Sequence, residues 1–167
     1  MERNDGMADF SPVYAHMEAD YLDIGTAAEP RVEFMRFFTA HNESPKAQTT
    51  GKQYVADKTT TTLTVGYQTS FPFEMDEYKN DPVCEFIRDI AEEQKLGVAC
   101  PYYKVRMHQP VGEVPNTFYC RKFTVGFAIE SIVRESGDIK SIEGMMNAQG
   151  DVEVGTFNTE TKTFTAD

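Results

Sequence analysis

The stretch GMMNAQGDVEVGTFNTETKTFTAD, residues 144–167, decides the fold class. Val152, Val154, Thr156, Phe157, Thr161, Thr163, Phe164 and Thr165 supply β-branched and aromatic side chains, which fit a pleated, half-buried surface. They flank Asn158-Thr159-Glu160, where the Asn side chain can accept from backbone amides just downstream and start a turn. The segment predicts a β-hairpin with few apolar side chains to bury alone, and it holds no constellation of residues for chemistry. A chain built from such pieces reads as a building block more than as an enzyme.

Immediately upstream, residues 118–133 predict the longest strand. One face carries Tyr119, Phe123, Val125, Phe127, Ile129 and Val133, interrupted by Arg121 and Ser131; the other carries Cys120, Lys122, Thr124, Gly126, Ala128, Glu130 and Ile132. The small residues Gly126 and Ala128 suggest close packing by a helix or a neighbour. Ser136-Gly137-Asp138 is a turn, and residues 139–148 read as the partner strand. Residues 102–108 alternate Tyr103, Val105 and Met107 against Lys104, Arg106 and His108, followed by a Pro/Gly/Asn-rich loop at 110–116.

One strong helix stands among these strands. Asp81-Pro82 opens it, because Asp caps the first free amides and Pro fits the first turn. Val83, Phe86, Ile87 and Ile90 then recur at i, i+3, i+4 and i+7, the apolar stripe of a helix lying on a sheet, and Gly97 is its expected end near residue 95. Glu85 and Asp89 are spaced like a carboxylate pair but flank Arg88 on a solvated face.

Further upstream, residues 59–69 alternate Leu63, Val65 and Tyr67 with Thr62, Thr64 and Gln68, which predicts a strand with one buried face. Phe71-Pro72-Phe73 is expected to leave that strand, since proline has no N–H for a central ladder. Residues 39–58 predict a long polar loop in which Lys46, Lys52 and Lys58 meet only Asp57 after Glu43, a locally basic segment in an acidic chain. Two readings stay open: a solvated loop, or an arm that orders against a neighbouring acidic subunit. Residues 32–38 read as an aromatic-rich strand, GTAAEPR from Gly25 as a turn, and residues 1–23 as a polar N-terminal arm with a short helix at most. The domain proper is thus expected at 24–167.

The fold class that follows is α+β: a mainly antiparallel β-sandwich or barrel with one amphipathic helix packed on it and a long loop between early strands. Its 167 residues suit one domain. Strand edges in excess need covering, and a ring of subunits joined edge to edge is one solution. The N-terminus lacks the basic-then-apolar pattern of a signal peptide, and no run reaches the about 18 apolar residues of a membrane helix. The expectation is a soluble chain made in the cytosol, for which the sequon Asn42-Glu43-Ser44 has no consequence.

Net charge is −11, from 27 acidic and 16 basic residues, which argues against tight binding to phosphate backbones. Cys84, Cys100 and Cys120 form no CxxC pair and read as buried thiols. His16, His41 and His108 are scattered without metal-ligand spacing, and no dinucleotide or Walker-type loop is present, so no cofactor or metal is expected.

With the residues in view, the chain resembles the tail tube (major tail) proteins of long-tailed phages and prophage-derived particles, especially those of Gram-positive hosts. The resemblance rests on DIGTAAEPRVEFMRFFTAHNESPKAQTTGKQYVADKTTTTLTVGYQTSFPFEMD, on DPVCEFIRDIAEE in the helix, on RKFTVGFAIESI in the long strand and on GMMNAQGDVEVGTFNTETKTF at the end. It spans roughly residues 21–165, and order and spacing carry it, since no single piece is a strong motif.

The resemblance implies a virion tail component made in the host bacterial cytoplasm: hexameric rings stacked into a hollow tube through which DNA passes without specific binding. It implies no membrane and no catalysis. The implied partners are further copies of the chain and other tail proteins such as the terminator, tape measure and distal tail protein. Lys46, Gln48, Lys52, Tyr54 and Lys58 map to the loop that contacts the adjacent ring, and Val83, Phe86, Ile87 and Ile90 to the helix packed outside the barrel. The polar segment MERNDGMADFSPVYAHME departs from the family pattern.

Two competing readings weigh less. One is a soluble β-barrel binding module for a small molecule or protein, with Tyr102, Tyr103, Tyr119 and Phe127 lining a pocket. The other is a metal-dependent hydrolase using Glu74, Asp76, Glu85 or Asp89, for which no Lys, His or nucleophile stands at a characteristic spacing.

Overall fold

The computed structural model describes residues 10–167; the first part of the expected arm, residues 1–9, lies outside the described residues. After a 3-10 turn at Ala15–Met17 come strands β1 (Glu18–Asp23), β2 (Val32–Phe34), β3 (Phe38–His41), β4 (Ala47–Lys52), β5 (Thr61–Tyr67) and β6 (Ser70–Asp76). Helix α1 (Pro82–Glu92) follows, then β7 (Ala99–Pro110), β8 (Thr117–Val133), β9 (Ser141–Asn158) and β10 (Thr163–Ala166). The end of the expected arm is therefore a strand of the main sheet, since β1 pairs with β7.

The main sheet runs β2-β1-β7-β8-β9-β6-β3, with β10 added on β9, while β4 and β5 form a separate two-stranded sheet. The two ends of that path, β2 and β3, are joined in the chain only by Met35, Arg36 and Phe37. Laid flat, seven strands at about 4.8 Å spacing would put the outer two about 29 Å apart. The few residues between Phe34 and Phe38 reach at most about 14 Å, so the sheet has to curl on itself. The result is a half-barrel of antiparallel strands with one helix, the expected α+β class.

Leu22, Met35, Phe71, Phe73, Met75, Tyr102, Phe123, Val125, Ile142 and Met146 fill the concave side. The helix closes it with Val83, Cys84 and Ile87, which are fully buried, and Ile90, which is nearly so. Phe86 is half-buried and meets Phe127 edge-on, with ring centroids 6.1 Å apart. Full burial of each Val or Ile contributes about 1.5–3 kcal/mol. A second cluster, Tyr21, Tyr103, Val105, Cys120 and Phe157, lies on the opposite face of β7 and β8, covered by Phe164 of β10.

Several local expectations are corrected. Residues 32–38 are two strands, because Met35 turns inward to bury its side chain and donates its N–H to Asp20 O at 2.9 Å. Pro72 lies inside β6. Its carbonyl accepts from Asn42 N at 2.9 Å, so its nitrogen faces the same side, past the end of β3, and the ladder to β9 loses no donor. The helix ends before Gly97: Gln94 takes the left-handed conformation (φ 50) and Lys95 N donates to Ile90 O at 3.1 Å, a Schellman closure. Its start is as expected, with Asp81 Oδ2 accepting from Cys84 N at 3.0 Å.

Residues 139–148 and the last hairpin share one long strand, β9, which absorbs the register shift at a bulge where Gly150 adopts φ 75. The terminal hairpin itself forms as expected, with Asn158 Oδ1 accepting from Glu160 N at 3.0 Å and Thr161 N at 2.9 Å. Gly126 is covered by the Gln149 side chain of the neighbouring strand β9, where a Cβ would sit 2.6 Å from Gln149 Nε2, so the close packing comes from a neighbour and not from the helix.

Candidate functional site

The segment expected as a long loop is largely β4, which pairs with β5 from Ala47↔Tyr67 to Lys52↔Thr61 in a hairpin that projects from the half-barrel. Threonines favour the strand conformation here, and residues 53–60, with Asp57 N donating to Tyr54 O at 2.9 Å, make the tip. The expected buried face of β5 is not buried. Leu63 is 41% exposed, Val65 65% and Tyr67 69%, and no second layer lies behind them. An isolated two-stranded hairpin is marginal in water, and this one has an apolar face that nothing among the described residues covers.

The five interface candidates from the sequence all fall on this hairpin. Lys46 sits at its base in the left-handed conformation (φ 48), and Gln48 Nε2 donates to Lys46 O at 3.2 Å. Lys52 ends β4, while Tyr54 (56% exposed) and Lys58 lie in the exposed tip. Among the described residues, Lys46, Lys52 and Lys58 form no ion pair.

The hairpin is bolted to the half-barrel at its root. Ser44 and Ser70 exchange backbone hydrogen bonds of 2.8 and 2.9 Å. Next to them, Glu43 accepts from Arg121 Nη1 at 3.0 Å and Nη2 at 2.8 Å, a bidentate pair, and lies 3.2 Å from Lys104 Nζ. Burial pushes the Glu43 carboxyl up, but the Arg121 and Lys104 cations outweigh it and hold the carboxyl below its ordinary range.

Asp20 of β1, the register partner of Lys104, accepts from the Tyr102 hydroxyl and lies 3.2 Å from His41 Nδ1 of β3. Burial would raise the Asp20 carboxyl, yet His41, Tyr102 and Lys104 together lower it. The two clusters cross the inside of the curl, linking β3 and the hairpin root to β1, β7 and β8 where no backbone ladder does. Of these residues, sequence reasoning named Tyr102 as a pocket candidate, His41 as an isolated histidine, Lys104 on the polar face of a strand, Glu43 in the polar loop and Arg121 as an interruption of an apolar face; Asp20 was not named, and nothing in the spacing brought the six together.

The other candidate residues are dispersed. Tyr102 and Tyr103 lie on opposite faces of β7, Tyr119 stacks under Arg106 at 4.2 Å, and Phe127 lies beneath Phe86, so the four line no common pocket. Glu85 accepts from Asn80 N and Asp89 from Arg88, while Glu74 stands opposite Glu143 on β9. Among the described residues no group of three His, Cys, Asp or Glu is placed to hold a metal ion. Cys84, Cys100 and Cys120 are buried and unpaired with one another. No helix of the described residues is long and apolar enough to cross a membrane.

No protein-family model matches the chain, and no curated protein does. Solved structures do. The chain is similar to a protein in the tail of the empty gene transfer agent (GTA) particle, a structure with C6 symmetry, at 15% identity and TM-score 0.60, covering 93% of this chain and 100% of that one. A protein in the virion of the native GTA particle matches with the same figures: 15% identity, TM-score 0.60, 93% and 100% coverage. A third is in the six-fold symmetrised baseplate of the anti-feeding prophage, at 9% identity and TM-score 0.50, covering 87% of this chain and 96% of that one. The chain thus has the fold of proteins found in phage-like tail particles, along nearly its whole length.

Proposed function

We propose that this chain is a structural, non-catalytic subunit of the tail tube of a phage or phage-derived particle, assembling into stacked hexameric rings around a conduit for DNA. The observation that carries the reading is the hairpin: among the described residues its apolar face is uncovered and its three lysines form no ion pair, on a chain of net charge −11. Such a surface fits another copy of the same acidic chain, and the shared fold with proteins of six-fold tail particles supports the ring. The helix stripe belongs to the core and not to this interface. Partners on this reading are further copies and other tail proteins, the terminator, tape measure and distal tail protein among them; the site of action is the virion tail, after synthesis in the bacterial cytoplasm. The acidic chain would let DNA pass without adhering.

The test is negative-stain electron microscopy and sedimentation of the purified chain beside the double variant Lys52→Glu, Lys58→Glu. Hollow tubes or rings from the wild type, and weakened stacking with an unchanged melting temperature in the variant, are expected. A wild-type chain that stays monomeric at every concentration would overturn the assembly reading. Unchanged tubes in the variant would remove the hairpin lysines from the contact.

A further inference from the structure

The pairs β3–β6 and β4–β5 are two lengths of one antiparallel ribbon, broken where the hairpin leaves the half-barrel. Between the two ladders stands an isolated bridge, Ser44 to Ser70. Just beyond it the chain kinks. Lys46 holds a left-handed φ of 48, sparsely used by residues other than glycine, and Gln68 N is shared between Pro45 O and Lys46 O at 3.1 Å each. Since β4 and β5 form a sheet of their own, the direction of the hairpin is set, among the described residues, at this break. A few residues at the end of an element that can absorb a change of φ and ψ make a hinge.

Beside the hinge lies a cavity of about 350 Å³, walled by Pro45 and Tyr67 on the hairpin side and by Phe123, Ala148 and Val152 on the barrel side. Pockets of about 300–1,000 Å³ seat small organic molecules, so one tyrosine ring fits. Tyr67 is 69% exposed and Val152 46%, and burying them against each other would be favourable. The Glu43–Arg121 pair lines the same cavity. Its bonds of 3.0 and 2.8 Å, with Lys104 Nζ 3.2 Å from Glu43, tie the near side of the hinge to β8 and β7. A ring turning in would crowd this pair, and parting two largely buried charges is costly. A neutral side chain at position 43 offers no such resistance, and it frees the Arg121 guanidinium to lie against the ring.

We infer that the Glu43 carboxylate latches the hairpin in its projecting pose, and that a neutral group there lets β4–β5 turn on the Pro45-Lys46 hinge until Tyr67 lies in the cavity against Val152. The turned hairpin hides in its own subunit the apolar face that the tail-subunit reading gives to a second copy, so the latch governs assembly. That consequence rests on the tail-subunit reading; the turn itself does not. Arg121 of β8 and Lys104 of β7 face the carboxylate directly. Behind them stand Glu18 and Asp20 of β1, His41 of β3 and Tyr102 of β7, while Asp151 of β9 lines the cavity. Burial raises the Glu43 carboxyl, but the two cations outweigh it and hold it below its ordinary range. The latch is therefore charged above the ordinary Glu value of about 4.3 and is given up as pH falls through the lower folded value.

The chain contains no tryptophan, so Tyr67→Trp places a single reporter at the hinge. In the folded, unassembled Tyr67→Trp chain at pH 7, acrylamide is expected to quench the indole freely. Adding Glu43→Gln should lower the quenching constant about threefold once most chains are turned. Adding Val152→Asp as well, which spoils the apolar seat, should restore it, a reversal that a merely structural role for Glu43 would not give. In the chain with Tyr67 intact, Glu43→Gln should raise the concentration at which particles form by about tenfold, as the competent fraction falls. If Glu43→Gln does not fold, acid replaces it: quenching of Tyr67→Trp should fall as pH drops below about 4, and should not fall with Val152→Asp present. Unchanged quenching in the folded Glu43→Gln variant or in acid, or protection that survives Val152→Asp, would overturn the latch whether or not particles form. Protection of the expected kind in a chain whose wild type never forms particles would support the latch and overturn the tail-subunit reading alone.

Discussion

Asp20 keeps a charge inside the curl of the sheet because three groups from two other strands face it. The Tyr102 hydroxyl donates to it, His41 Nδ1 lies 3.2 Å away, and Lys104 adds its field. A carboxyl lowered on folding stabilises the protein above its unfolded value, about 3.9, and that contribution is lost as pH falls through the folded value. Glu43, lowered by Arg121 and Lys104, adds in the same direction. Asp20→Asn is expected to cost about 1–3 kcal/mol at pH 7, and its urea midpoint should fall less than that of the wild type between pH 5 and acid conditions below about 4. Equal acid slopes in the two proteins would place the acid-sensitive charge elsewhere. The thiols make the opposite case: burial pushes Cys84, Cys100 and Cys120 up to about 12, so the folded chain holds no appreciable thiolate at neutral pH. An alkylating reagent at pH 8 should label none of them in the folded protein and all of them in urea; labelling of the folded chain would show that one of these strands or the helix opens.

At the scale of elements, helix and hairpin carry the same alternation of apolar and polar residues to different ends. The stripe of α1 is sealed by the sheet, so Ile87→Ala is expected to cost about 2–5 kcal/mol in a denaturant melt, and Phe86→Ala, half-buried at the flank, less than the about 3–5 kcal/mol of a buried Phe. The stripe of β5 faces solvent, so Val65→Asp should leave the melt within about 0.5 kcal/mol of wild type while preventing particles from forming. A Val65→Asp chain that melts early would mean that the hairpin face packs on its own subunit. This contrast marks the limit of what the sequence makes legible. Periodicity of 3.6 or 2 identifies the element and its two faces, and it placed α1, the faces of β8 up to a second register shift between Ile129 and Ser131, and the terminal hairpin. It does not say whether the second layer comes from the same chain, and so Leu63, Val65 and Tyr67 read as core. The polar clasp was equally hidden, because Asp20, His41, Glu43, Lys104 and Arg121 meet only once the sheet has curled through the Met35-Arg36-Phe37 link.

For the whole molecule, the proposed assembly would set two electrostatic effects against each other, and their ranges decide the sign of the salt dependence. Each copy carries a net charge of −11, so copies repel at long range. On the proposed stacking the hairpin lysines attract an acidic neighbour, but only across contact distances of a few ångströms. Raising ionic strength from 0.01 M to 0.15 M shortens the Debye length from about 30 Å to about 8 Å. That removes most of the repulsion between separated, highly charged bodies and little of a lysine–carboxylate contact that excludes water. Moderate salt should therefore promote assembly, lowering the chain concentration at which rings or tubes first sediment at 0.15 M relative to 0.01 M. Lys52→Glu with Lys58→Glu changes the net charge by −4, from −11 to −15, and removes the local attraction. The variant should need both higher concentration and more salt, and at about 1 M salt, where screening reaches about 3 Å, it should approach the wild type. A wild-type chain that assembles best at the lowest salt would show that short-range ion pairs outweigh the mutual repulsion of the subunits, and would shift the driving force from the apolar face of β5 to the lysines at the hairpin tip.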